Sequence, residues 1–135
     1  MNQTVPSRKH WLAQLTALLL WSGCLLWLSL TPNPPSPPSA LLSWDKLQHA
    51  GAYALLTLLV GSCFRHWRPL GRHPWLFAWA AAVAFGGLVE ILQGTLTDVR
   101  QAEWGDLLAD AVGGFLAATA AAVRDFRQRR KATSS

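Results

Sequence analysis

The sequence predicts an all-α integral membrane protein, a four-helix bundle with both termini in the cytoplasm. Three observations lead there. Four long stretches lack strong charge, no run alternates apolar and polar residues as a strand does, and Lys and Arg gather in alternate connections. The chain has 135 residues, of which 51% are apolar and 14% charged. An average soluble domain carries roughly 25% charged residues. Disorder is excluded, because it needs low hydrophobicity and high charge. A nucleic-acid binder is disfavoured too, since the basic residues lack a polar folded face to sit on.

The first stretch, Trp11–Leu30, has 20 residues and no strongly ionisable group. Its apolar run exceeds the roughly 7–15 residues of a signal-peptide core, which argues for a retained span over a cleaved signal. Leu47–Phe64 has 18 residues, interrupted by His49 and Tyr53. Trp75–Leu92 has 18, interrupted by Glu90, and Leu107–Val123 has 17, interrupted by Asp110. A helix crossing the hydrocarbon needs about 17–25 mostly apolar residues, and it satisfies its own backbone there. The predicted spans are about 11–30, 45–64, 74–92 and 106–123. They form a membrane domain over 11–123, between an N-terminal arm, 1–10, and a basic tail, 124–135.

Orientation follows from the cations. Arg8, Lys9, Arg65, Arg68, Arg72, Arg124, Arg127, Arg129, Arg130 and Lys131 fall on one side, ten in all, against Lys46 and Arg100 on the other. The richer side is predicted to be cytoplasmic. The tail RDFRQRRK reads as an orientation anchor touching anionic lipid, with Asp125 solvated beside its arginines. Trp11, Trp67 and Trp75 fall near inner span ends, Trp27, Trp44 and Trp104 near outer ones, as an interfacial belt requires. Trp21 and Trp79 lie deeper and are expected to pack. Thr31–Ser39, TPNPPSPPS, is a stiff polyproline-like spacer. Pro74 suits a first helical turn. Cys24 and Cys63 lie at different depths, too far apart for a disulfide, and read as packing residues.

Helical spacing then gathers the polar groups. Asp45, His49, Tyr53, Thr57 and Gly61 step by four along the second span. At 1.5 Å per residue His49 and Tyr53 lie about 6 and 12 Å deeper than Asp45. Ala78, Ala82, Gly86 and Glu90 form a small-residue groove ending in a carboxylate, with Gln93 a turn beyond. Asp106, Asp110, Gly114, Ala118 and Ala122 repeat the pattern, and Gly113, Ala117 and Ala121 widen it. Small residues at this spacing let helices approach closely in lipid. Gly86, Gly113, Gly114 and Ala117 are therefore the expected packing residues, with the small faces of spans three and four meeting each other.

The outer leaflet would then hold Asp45, Lys46, His49, Tyr53, Glu90, Gln93, Arg100, Asp106 and Asp110 as one cluster. Ionisable groups within spans are costly and mark functional sites by default. Carboxylates outnumber cations in the cluster, which a bound cation or cationic ligand would relieve. Asp45, His49, Glu90 and Asp110 are the candidate metal ligands. No HExxH signature, nucleophile motif or phosphate-cradling glycine loop accompanies them, so no cofactor is named by a motif. Asp98 and Glu103, in the outer loop, are expected to be solvated, with Asp98 capping a short interfacial helix.

Three functions fit. The cluster binds or modulates a lipid headgroup, an envelope precursor or an amphiphilic compound. Alternatively it belongs to an enzyme acting on such a headgroup, with His49 as general base or metal ligand and Asp45, Glu90, Asp106 or Asp110 assisting. In the third it is an inert ion-pair network, in which Lys46 or Arg100 neutralises Glu90 and Asp110. Membrane lipids are the expected partners in each, and nucleic acid is not.

Three blocks, Asp45-Lys46-x-x-His49-x-x-x-Tyr53, Glu90-x-x-Gln93, and Arg100 followed by Asp106 and Asp110-x-x-Gly113, resemble the VanZ-like family of small membrane proteins. The resemblance covers about residues 44–117. It departs where the family has Asn in place of Asp110 and often Gly in place of Ala117. It implies a multi-pass protein of the bacterial plasma membrane. Because the founding member is associated with low-level resistance to the glycopeptide teicoplanin, it also implies a link to the cell envelope and antibiotic resistance.

Overall fold

The structure, a computed structural model, describes residues 8–32, 45–67, 73–97 and 103–133. Outside these lie residues 33–39 of the proline run, Trp44, Arg68, Arg72, Asp98 and Arg100, as does the side chain of Trp67. The described chain is helical: α1 Arg8–Leu30, α2 Asp45–Trp67, α3 Pro74–Leu96 and α4 Trp104–Thr133. All four are long and apolar enough to cross a membrane.

Each helix begins or ends where its sequence directs. Pro74 stands in the first turn of α3, where its missing N–H has no helical partner to lose. Thr97 closes α3, its N–H donating to the Gln93 carbonyl at 3.2 Å. The fourth helix differs most from the expected span. It runs unbroken through the basic tail to Thr133 for 30 residues. The tail contains no Gly or Pro, and Ala, Arg, Gln and Lys are good helix formers. The Arg130 guanidinium also sits over the Phe126 ring at 5.6 Å, one turn away.

Contacts at the two ends set the helix directions. Lys46 of α2 pairs with Asp106 of α4 at one end, and Arg65 pairs with Asp125 at the other, 3.0 Å apart. Thus α2 and α4 run the same way. Trp75, at the start of α3, donates its indole N–H to Asp125 at 2.8 Å, while Glu90 near its other end accepts from the Glu103 backbone N–H at 2.8 Å. Thus α3 runs oppositely. Gln93 Nε2 donates to the Ser29 carbonyl at 2.9 Å, which places the C-terminal end of α1 at the Glu90 end. One end of the bundle is therefore carboxylate-rich; the other carries Arg65 and the arginines of α4.

Asp125 and Trp75 depart from their sequence expectations. Asp125 is drawn onto the bundle by Arg65 and Trp75 instead of being solvated among the tail arginines. Trp75 is buried against Ala118, Ala121 and the Cα of Gly61, and does not lie in an interfacial belt. A side chain at Gly61 would overlap its ring. Trp21 and Trp79 pack as expected, donating their indole N–H groups to the carbonyls of Ala52 and Ala111.

The small faces also pair differently. Gly113 lies so close to the Ala50 carbonyl of α2 that any Cβ there would collide with backbone. A Cβ on Gly114 would stand 2.7 Å from the Thr57 hydroxyl of α2 and 3.2 Å from the Trp79 ring. The glycines of α4 thus serve the α2–α4 contact more than the expected α3–α4 one. Four-residue spacing defines a face without naming the helix it meets. Gly86 does face α4, where it meets Asp110. Ala117 is half-buried. Cys24 and Cys63 are both free thiols.

Candidate functional site

The carboxylate-rich end is built on the first two turns of α2, the last two of α3 and the first two of α4. Asp45, Lys46, His49 and Tyr53 come from α2, Glu90 and Gln93 from α3, and Asp106 and Asp110 from α4. The four-residue steps that relate Asp45 to His49 and Asp106 to Asp110 keep each pair on one helix face. Because α2 and α4 run the same way, the two pairs lie side by side.

His49 is the hub. Its Nδ1 lies 3.0 Å from Asp110 Oδ1, and its Nε2 lies 3.6 Å from Asp106 Oδ2. Its ring stacks on Tyr53, with centroids 6.4 Å apart and planes 8° from parallel. Tyr53 is itself buried against Leu25, Leu56 and Ala82, which fixes the floor of the site.

Lys46 forms the rim. Its Nζ donates to Asp106 Oδ1 and, at 2.9 Å, to Glu103 Oε2. Gly105 makes this possible, since a Cβ there would sit 3.1 Å from Lys46 Cε. Glu103 is therefore part of the site, where the sequence placed it in solvent, although its side chain remains 61% exposed. Neither Glu103 nor Gly105 carries a periodic signal. Their position is the signal: Gly105 is next to Asp106, and Glu103 is three residues before it, just ahead of α4.

Glu90 and Gln93 do not meet Lys46. Glu90 Oε2 accepts from the Glu103 N–H, which ties the loop before α4 to α3. Gln93 turns its amide to α1. The expected neutralisation of Glu90 and Asp110 by Lys46 is thus replaced by a backbone N–H for one and His49 for the other. Arg100, the other cation assigned to the cluster, lies outside the described residues.

Asp110 is the deepest member, 1% exposed. Its Oδ2 is buried without a hydrogen-bond partner and points at Gly86, where a Cβ would stand 2.7 Å away. The Thr57 hydroxyl, one turn below Tyr53, is buried and likewise unpartnered. A buried carboxylate oxygen is expensive to leave unsatisfied.

Among the described residues, Asp45, Glu90, Glu103, Asp106 and Asp110 face one lysine and one histidine at this end. One ligating atom from each of Asp45, His49 and Asp106 lies within 4.8 Å of the others. The structure therefore groups Asp106 with Asp45 and His49 as the potential metal ligands, while Glu90 and Asp110 are engaged elsewhere. No family model, curated protein or solved structure matches the chain.

Proposed function

We propose that the chain is a VanZ-like multi-pass protein of a bacterial plasma membrane, with both termini cytoplasmic. Its outer polar cluster binds or modulates the head of an amphiphile: a membrane lipid, an envelope precursor or a glycopeptide-type compound. One observation carries this reading. Among the described residues, five carboxylates converge at one bundle end around one lysine and one histidine, with one buried carboxylate oxygen unpartnered. Such an end is unbalanced as an ion-pair lock and suited to a cationic head or one that arrives with a metal. Its depth, in the first helical turns of apolar spans, is the depth of lipid headgroups.

Native mass spectrometry in mild detergent tests the reading, with wild type beside Glu90→Gln. The amide keeps an acceptor for the Glu103 N–H and removes the charge. An amphiphile adduct retained by the wild type and diminished in the variant is the expected result. Ligand-free spectra for both proteins, with the variant merely less stable, would overturn it in favour of an inert network. For the orientation, with Cys24 and Cys63 replaced by Ala, a membrane-impermeant maleimide should label a cysteine placed at Gln48 in intact cells and leave one placed at Arg129 unmodified.

A further inference from the structure

The basic end of the bundle has a defined geometry that the head-group reading does not use. Arg65 ends the apolar part of α2, and groups on α3 and α4 fix its guanidinium. Its Nη1 donates to Asp125 Oδ1 at 3.0 Å, and the guanidinium carbon stands 5.9 Å from the centre of the Trp75 ring. That ring lies against the Cα of Gly61, and its N–H holds the second Asp125 oxygen at 2.8 Å. An exposed ion pair contributes little to stability, so stability does not account for this much positioning.

Two guanidiniums share the one carboxylate. Arg124 Nε lies 3.9 Å from the same Asp125 Oδ1, and its side chain is 61% exposed. One negative charge between two positive ones leaves a local surplus of positive charge. Arg127, Arg129, Arg130 and Lys131 add to it, and among the described residues Asp125 is the one acid at this end. A guanidinium carries five N–H donors, of which Asp125 takes one from Arg65. Donors of both arginines are left for an anion.

Depth selects the anion. Residues 106 and 124 of α4 are 18 apart, about 27 Å at 1.5 Å per residue. That is close to the roughly 30 Å of a hydrocarbon core. With Asp106 at one boundary, Arg65 and Arg124 stand at the other, where phospholipid phosphates lie. Just inside them Leu76, Phe77 and Val123 are exposed and offer acyl chains an apolar wall. The planar guanidinium fork matches phosphate oxygens in pairs. Basic pockets between spans take anionic lipid heads for these reasons.

We propose that Arg65 and Arg124 together clamp the phosphate of one anionic phospholipid, in the leaflet opposite the carboxylate-rich end. The surplus positive charge favours a net-negative head over a zwitterionic one, whose own cation would face the same arginines. The site is separate from the carboxylate-rich end and stands whether or not that end binds a head.

Full-length protein in mild detergent, titrated with phosphatidylglycerol or phosphatidylcholine of matched acyl chains, tests the clamp by native mass spectrometry. Wild type should hold one phosphatidylglycerol per chain in preference to phosphatidylcholine. Arg65→Gln and Arg124→Gln should each raise the apparent Kd at least tenfold, as expected for a lost hydrogen bond to a charged group. Arg130→Gln removes a cation that sits over Phe126, further along the tail. It should change Kd by no more than about fivefold, the share of one cation in a diffuse field. Arg124 is exposed, so its variant keeps the test decisive even where Arg65→Gln lowers expression. Equal affinity for the two lipids, or equal losses in all three variants, would overturn the clamp in favour of a diffuse basic surface. An adduct of inorganic phosphate without a lipid adduct would assign the arginines to free phosphate and overturn the lipid.

Discussion

Asp110 on α4 and His49 on α2 meet at 3.0 Å between Oδ1 and Nδ1, while Asp110 Oδ2 is buried against Gly86 of α3 with no partner. One side chain therefore connects three helices, by a hydrogen bond on one side and by close approach on the other. Removing it leaves His49 Nδ1 without its hydrogen-bond partner in a half-buried place. Asp110→Ala should destabilise the protein by about 1–3 kcal/mol, the usual penalty for an orphaned buried polar group. Asp110→Asn keeps a hydrogen-bonding group opposite Nδ1 and should lose less. Thermal unfolding in detergent distinguishes them, and equal losses would show that the hydrogen bond contributes nothing.

Gly113 sets the separation of α2 and α4. A methyl group there meets the Ala50 carbonyl and backbone, which cannot rotate away as a side chain would. Gly113→Ala should cost about 1–3 kcal/mol through overpacking. Gly51 is the control, because a Cβ there meets nothing within 4 Å. Gly51→Ala should be within about 0.5 kcal/mol of wild type, as surface changes usually are. The pair is compared by detergent or denaturant unfolding at equal protein-to-detergent ratio; similar losses in both would remove the close approach as the cause.

These two sites show what was legible in the sequence. The four spans followed from charge-free stretches, and the polar end followed from four-residue steps through Asp45, His49, Asp106 and Asp110. Partner choice did not follow. Gly113 and Gly114 were assigned to α3 because short connections favour sequential neighbours, yet α2 and α4 run side by side and the glycines serve them. Glu103 reads as solvated because it falls in the outer loop, outside the four-residue steps. Its role depends on Lys46 reaching across over Gly105, a contact between residues 57 apart in the chain. Asp125 was hidden in the same way, among arginines that looked like sufficient company.

At the opposite end, Asp125 divides its two oxygens between unequal partners. Arg65 is 43% exposed, and an ion pair at that exposure contributes little. The Trp75 indole belongs to a buried residue whose N–H donates to Asp125 at 2.8 Å. Arg65→Ala should therefore cost under about 1 kcal/mol. Asp125→Ala should cost about 1–3 kcal/mol, because it orphans the indole N–H. Asp125→Asn, which preserves an oxygen acceptor, should fall between them. Unfolding midpoints of the three variants give the order, and tryptophan emission reports directly whether Trp75 has lost its partner.

Helix α1 buries less of itself than the other three. Leu25 is its one buried residue, and its attachments include two side-chain bonds to backbone: Trp21 Nε1 to the Ala52 carbonyl at 3.1 Å and Gln93 Nε2 to the Ser29 carbonyl at 2.9 Å. Each bond contributes about 0.5–1.5 kcal/mol in net terms. A helix held this lightly is the part of the bundle that should open first. Combining Trp21→Phe with Gln93→Leu removes both bonds while keeping apolar bulk. Hydrogen exchange of the α1 amides should then accelerate about tenfold or more, since the two bonds together exceed the 1.4 kcal/mol of a tenfold change at the middle of that range. Exchange in α4, which is held by Gly113, Gly114 and the His49–Asp110 contact, should stay unchanged. Acceleration spread equally over all four helices would mean that α1 is an integral part of one cooperative unit, and that its opening cannot be separated from global unfolding.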